Sequence, residues 1–249
     1  MKIERTEAIV LHTLAARERD KLVVFLTPHH GKRKGWAYGA RAIRSRFGAA
    51  LEPLAKVTIG YAVRESDEVV RIESVDLIRS LFPAQQNLIS SVAATYIAET
   101  IDTFAPVDDP AELIYRLLDR TTEALLEGAA PMPVVAYAEL WTLKLAGIFP
   151  SLRDCMECGG PLSRPLRFHD RLEGFVCSNC AGRESSIISN DAIDVLEALG
   201  RLSVARFVAE NFATEAILEA RGIGGIVRRN FLGHELKSFE VLAGVMGGG

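Results

Sequence analysis

Two C-x2-C pairs constrain this chain more than any other feature. Cys155 and Cys158 form one pair and Cys177 and Cys180 the other, with 18 residues between the pairs and no cysteine left over. Two thiolates separated by two residues reach one ion only where the backbone turns tightly after the first. Each pair is followed by small residues that permit such a turn, Gly159-Gly160 and Ala181-Gly182. Four thiolates close a tetrahedral shell, so the spacing predicts one structural Zn2+ per chain, with no open position for chemistry. An iron–sulfur cluster takes the same donor set, whereas disulfides belong to oxidising compartments. The segment that holds the cysteines, about residues 150–183, is too short to build its own core. The first role expected of the metal is therefore to fold it. His169 lies between the pairs, as a spare ligand or a surface histidine.

The rest of the chain divides by periodicity. Ala8–Leu11, Leu22–Leu26, Trp36–Tyr38, Val57–Val63 and Val69–Ile72 are short runs rich in β-branched and aromatic residues, with turn signals between them. About five strands in about 80 residues predict a small five-stranded barrel of the OB type. Beyond Pro83 the period becomes helical, through Leu88, Val92, Tyr96, Ile97, Ile101 and Phe104. Val107-Asp108-Asp109-Pro110 starts a second helix that runs to Gly128, and Pro131-Met132-Pro133 starts a third that runs to about Gly147. Ser189-Asn190-Asp191 caps a further helix through Leu199, and one or two more extend from Val204 to about Leu242. The expected architecture is α+β. An OB-fold barrel fills residues 1–80, and a helical domain fills 81–249 with the cysteine segment inserted at about 150–183.

Charge follows the same division. The whole chain has a net charge of −3, which excludes a strongly basic coat protein, but residues 1–80 carry net +5 and residues 81–249 net −8. The positive charge concentrates in residues 29–47, where Lys32, Arg33, Lys34, Arg41, Arg44 and Arg46 occur without an acid between them. Like charges packed this densely repel unless a polyanion accompanies them. Trp36, Tyr38 and Phe47 interleave with the cations, either as barrel core or as flat surfaces on which unpaired bases stack. No run of 18 apolar residues occurs, so no membrane span is expected. Lys2, Glu4, Arg5 and Glu7 precede any apolar run, a poor secretory signal, and the cytoplasm is the expected compartment.

Within this frame, Gly39-Ala40-Arg41, Ser45-Arg46-Phe47-Gly48 and Leu51-Glu52-Pro53 resemble the signature loop of the bacterial RecO family of recombination mediators. The order of parts matches across nearly the whole chain, and Leu236-Lys237-Ser238-Phe239 is similar to that family's closing helix. Leu54 departs from the aromatic that often follows the Glu-Pro, which implies local repacking. The resemblance implies a DNA repair protein of the bacterial nucleoid that binds single- and double-stranded DNA and anneals complementary strands. It also implies a partner, RecR, with which the protein displaces single-strand-binding protein and helps load RecA. It implies recognition of the acidic tail of single-strand-binding protein as well. That tail ends in apolar residues, so its pocket should pair a cation with a hydrophobic groove. Arg116 and Arg120, one helical turn apart, are candidates.

Other classes fit less well. An OB barrel with a zinc ribbon also suits an RNA-binding factor of the translation machinery. The five histidines, His12, His29, His30, His169 and His234, form no H-E-x-x-H or comparable set, so no catalytic residue is expected. Gly222-Ile223-Gly224-Gly225 looks like a phosphate loop, but no strand precedes it, and close helix packing or a bend accounts better for its glycines.

Overall fold

The computed structural model describes residues 2–16, 18–42, 45–63 and 68–246. Among these the chain forms two compact units, Met1–Gly128 and Ala129–Gly249.

The first unit is built on a closed five-stranded barrel. Its strands are β1 (Lys2–Ala16), β2 (Asp20–Thr27), β3 (Gly31–Ala37), β4 (Lys56–Val63) and β5 (Val69–Arg79), in the order β1-β2-β3-β5-β4. All neighbours are antiparallel except β3 and β5, which run parallel with Lys34 opposite Val69 and Trp36 opposite Arg71. This is the expected OB-like topology. Alternation along each strand sends Val10, Val23, Phe25, Val57, Ile59, Tyr61, Val70 and Ile72 inward, where all are buried. Gly35 sits inward on β3 because Ile72 already fills the space, and a Cβ there would lie 2.7 Å from the Ile72 side chain. A 3-10 turn (Gly48–Leu51) brings Phe47, Ala50 and Leu51 into the same core. Phe47, one of the rings that could serve either as core or as a stacking surface, is 3% exposed and belongs to the barrel. Burying it removes an apolar ring from water, which stabilises the fold by about 2 to 3 kcal/mol.

The same unit holds α1 (Phe82–Gln85), α2 (Leu88–Phe104) and α3 (Glu112–Leu126). Asn87 caps α2 by accepting from the Ser90 amide. The link from α2 to α3 lies along the start of β3. Lys32 N–H donates to the Pro106 carbonyl at 2.8 Å, and Ala111 N–H donates to the Pro28 carbonyl at 2.9 Å. Gly31 turns beneath this link at φ +59, where a Cβ would meet the Asp109 carbonyl at 2.3 Å. A polar cluster ties α3 to the barrel. Asp119 accepts from Lys56 at 3.0 Å and from Arg79 at 2.6 Å, and the Tyr115 hydroxyl donates to Glu7 at 3.2 Å. The change from strand to helix comes near residue 80, yet these contacts carry the compact unit on to Gly128.

The second unit contains α4 (Pro131–Leu145), the cysteine segment with its short strands β6 (Arg167–His169), β7 (Gly174–Val176) and β8 (Ser185–Ile187), then α5 (Asn190–Leu199), α6 (Val204–Ala209), α7 (Thr214–Leu232) and α8 (Phe239–Met246). Ser189 caps α5 as its sequence predicts, accepting from the Ala192 amide at 3.1 Å. The glycine run of residues 222–225 lies inside α7, which excludes a phosphate loop. Gly224 packs so closely on α4 that a Cβ would come 2.6 Å from Leu140. Beside this contact Glu139, 1% exposed, accepts from Arg221 Nε at 3.0 Å and from Arg228, which is fully buried and also pairs with Glu235. A buried carboxylate survives in an apolar helix packing only with such cationic partners.

Candidate nucleic-acid interface and metal centre

The basic segment does not act as one patch. On β3, Gly31, Arg33, Gly35 and Ala37 share the inner face, and Lys32, Lys34 and Trp36 the outer one. Arg33 therefore closes the barrel end. Its side chain is 15% exposed, its Nε pairs with Asp108 at 2.9 Å, and its guanidinium lies 5.7 Å from the Tyr61 ring centroid. Burial and a hydrogen bond to Glu4 push the Tyr61 phenol above its ordinary range, so it stays protonated there. Lys32 faces out but is bound to Asp102 on α2, through the carboxylate at 3.2 Å and through the backbone carbonyl. The first two cations of the segment are thus committed within the unit.

Lys34, Arg41 and Arg46 are exposed, with Arg46 lying 4.8 Å over the Phe47 ring. Arg44 lies outside the described residues. Trp36 is half-buried and Tyr38 is 42% exposed, so neither ring is in the barrel core. Arg71 on β5 stands beside both, opposite Trp36 in the parallel register and 5.6 Å from the Tyr38 ring centroid. Sequence reasoning missed Arg71, because it lies far from the basic run and only the β3–β5 pairing brings it there. It also missed that Asp102 and Asp108 consume two cations. The aspartate pair beside Pro110 was visible only as a helix start.

In the second unit the four cysteine sulfurs gather as the spacing requires, all within 4.8 Å of one another. Cys158 Sγ and Cys177 Sγ are 3.9 Å apart. A tetrahedron with metal–sulfur bonds of about 2.3 Å has edges of about 3.8 Å, so this donor set fits one thiophilic ion. The turn after the first pair places Gly159 at φ +68, with its N–H on the Cys155 carbonyl at 2.9 Å, and Ala181 closes the second in the same way. Backbone amides of Cys158 and Cys177 hold the Cys155 thiol down to about 6, whereas the neighbouring sulfurs of Cys177 and Cys158 push Cys180 up. Four sulfurs this close share ionisation unfavourably until a cation joins them. The segment also carries a small core after all. Leu166, Phe168, Phe175 and Val176 are buried, and the two rings meet edge to face at 5.4 Å. His169 is not among the clustered donors, and its Nδ1 accepts from the Leu172 amide at 3.3 Å.

A third feature lies between α4, α7 and α8, where Leu218, Ile226, Phe239 and Leu242 line a cavity of about 320 Å3 with Arg221 and Arg229 and with Glu139 and Glu235, whose carboxylates are paired with Arg221 and Arg228. The tail candidates noted above fare differently. Arg120 is paired with Glu123 at 2.6 Å, and Arg116 is exposed. No helix among the described residues is long and apolar enough to cross a membrane.

An OB-like barrel with outward cations and aromatics, a helical unit and a four-cysteine cluster are the parts expected of a DNA repair and recombination protein, and comparison with known proteins shows that class. Residues 1–81 match the family described as Recombination protein O N terminal, and residues 85–240 the one described as Recombination protein O C terminal. The chain is 37% identical to the DNA repair protein RecO of Koribacter versatilis over 197 residues, covering 78% of this chain and 80% of that protein. It is 31% identical to that of Myxococcus xanthus over 244 residues, covering 96% of each, and 33% identical to that of Geobacter metallireducens over 224 residues, covering 88% of each. The chain belongs to the RecO family.

Proposed function

We propose that this protein is a non-enzymatic mediator that binds single- and double-stranded DNA and anneals complementary strands. In this reading it works with RecR at the cytoplasmic nucleoid to help RecA load onto DNA coated by single-strand-binding protein. The observation that carries the reading is the outer face of the barrel. Lys34, Arg41 and Arg46 offer charge, and Trp36 and Tyr38 offer flat rings beside them. In OB folds the face of the second and third strands is where oligonucleotides bind, and outward cations with stacking rings suit a sequence-tolerant single-strand binder. Lys32 and Arg33 support the interface indirectly, by holding β3 in place.

The metal is Zn2+ in this reading, held by Cys155, Cys158, Cys177 and Cys180. When bound it supplies folding energy to the β6–β8 segment and no reaction chemistry. For the acidic, apolar-ended tail of single-strand-binding protein, the cavity between α4, α7 and α8 joins Arg229 to an apolar lining. It suits that chemistry better than Arg120, already tied to Glu123. The deciding experiment is annealing of complementary oligonucleotides with and without single-strand-binding protein coating them. Acceleration in both settings is expected, with loss of the coated reaction alone in an Arg229→Glu variant. No acceleration of bare strands would remove the reading.

A further inference from the structure

We infer that Arg71 is a specificity residue that makes the barrel favour unpaired bases over duplex, acting with Trp36 and Tyr38 as one stacking surface. The inference rests on the DNA-binding reading above and adds to it a residue and a substrate preference. Alternation places the side chain of Arg71 outside the barrel, since its neighbours Val70 and Ile72 both point into the core. The parallel pairing of β3 and β5 sets Arg71 directly opposite Trp36, and antiparallel pairings continue the row to Leu22 on β2 and Leu14 on β1. Leu14 is largely exposed, so the row is an apolar strip on the outside of the barrel with a guanidinium at one end.

The chemistry of Arg71 distinguishes it from the cations of the basic segment. Its Nε lies 3.0 Å from a Glu73 carboxylate oxygen, two residues along the same strand and on the same face. The Arg71 side chain is 59% exposed, so this is a weak surface pair, and its guanidinium also lies 5.6 Å from the Tyr38 ring centroid. Beside two outward rings a guanidinium adds a further flat face on which an unpaired base can stack. Unpaired bases expose π faces that such a surface can cover, whereas in a duplex those faces are already stacked on neighbours and only the backbone is presented. Charge in the loop thus serves both substrates, and the Arg71 surface serves one.

The test uses the full zinc-loaded chain and two probes, a labelled oligothymidylate of about 20 nucleotides and a duplex of similar length, which cover one OB-fold site. Arg71→Gln and Arg71→Lys should each weaken single-strand binding about five- to tenfold, and duplex binding by less than about twofold. Tyr38→Leu should do the same while leaving the salt dependence unchanged. Arg46→Gln is the control for charge and should weaken both probes alike. Full single-strand affinity in Arg71→Lys would show that charge alone matters and overturn the inference. So would equal losses on both probes, or no loss while Arg46→Gln weakens binding. If the unaltered chain binds neither probe, the DNA-binding reading itself fails. Arg71 is exposed, so unchanged melting temperatures should accompany these effects, and a shared drop in stability would count against a role in recognition.

Discussion

The division of the basic segment into committed and outward cations predicts a salt dependence that can be worked out in advance. Lys34, Arg41 and Arg46 are exposed, whereas the Arg33 side chain is 15% exposed and lies against Asp108. If each outward cation neutralises one phosphate, the triple variant K34Q/R41Q/R46Q should lose about 2 units of the log–log salt slope on single strands and about 2.7 on duplex. Between about 50 and 200 mM salt the unaltered chain should therefore lose roughly 20-fold more single-strand affinity than the variant, and roughly 40-fold more duplex affinity. Arg33→Gln should leave the slope untouched. Its effect falls instead on stability, about 1 to 2 kcal/mol, because the barrel end loses its ion pair and the contact with Tyr61. Fluorescence anisotropy across a salt series, with a denaturant titration of each variant, measures both quantities. A slope that falls as much for Arg33→Gln as for any outward cation would refute the assignment. An unchanged slope in the triple variant would refute the interface.

Other consequences follow from the same structure. The purified protein should hold about one zinc per chain, and Cys155→Ser, at the buried ligand, should release it and melt β6–β8, read by metal analysis and amide exchange; an intact segment without metal would contradict this. Glu139→Ala leaves two guanidinium groups buried beside an apolar helix contact and should lower stability by about 3 to 5 kcal/mol in urea titration, so a loss below about 1 kcal/mol would show that the cluster is solvated. Burial disfavours the Lys56 ammonium, but the hydrogen bonds to Asp119 and Glu7 outweigh it and raise its pKa above the usual 10.5. A raised folded value means the stabilisation is complete below the unfolded pKa and disappears as pH climbs through the folded one, so the stability gap between the unaltered chain and Lys56→Met should hold steady up to about pH 10 and shrink above it. A fragment of residues 1–128 should unfold at higher denaturant than one of residues 1–80, which lacks Asp102, Asp108 and Asp119; equal midpoints would mean that these pairs contribute nothing.

Much of this protein was legible before folding was considered, and what was legible is local. A C-x2-C pair with a glycine turn has the same meaning in any context, because ligand reach and backbone turn are set within five residues. Ser189 caps α5 and Pro131 starts α4 for the same reason, since caps and first turns depend on immediate neighbours. The barrel strands were visible from alternating β-branched residues, though β1 runs from Lys2 to Ala16, well beyond the apolar Ala8–Leu11 stretch. Its polar ends pair in the ladder through backbone groups that carry no side-chain signature.

The fate of each cation in residues 29–47 had no local signature. Lys32 and Arg33 read like Lys34, yet their partners Asp102 and Asp108 lie some 70 residues away and meet them only because the α2–α3 link crosses the start of β3. Phe47 and Tyr38 are both aromatic residues near cations. A 3-10 turn buries the first, and the second stays half in solvent beside Arg71. Composition changed near residue 80, where strands give way to helices, but the compact unit ends at Gly128, because Asp119 and Tyr115 hold α3 on the barrel. Chain-local chemistry therefore determined the four-cysteine cluster, the caps and the strand faces. Which charges stay available to a partner was decided by tertiary structure, since a charge is spent or free according to what the fold carries to within about 4 Å of it.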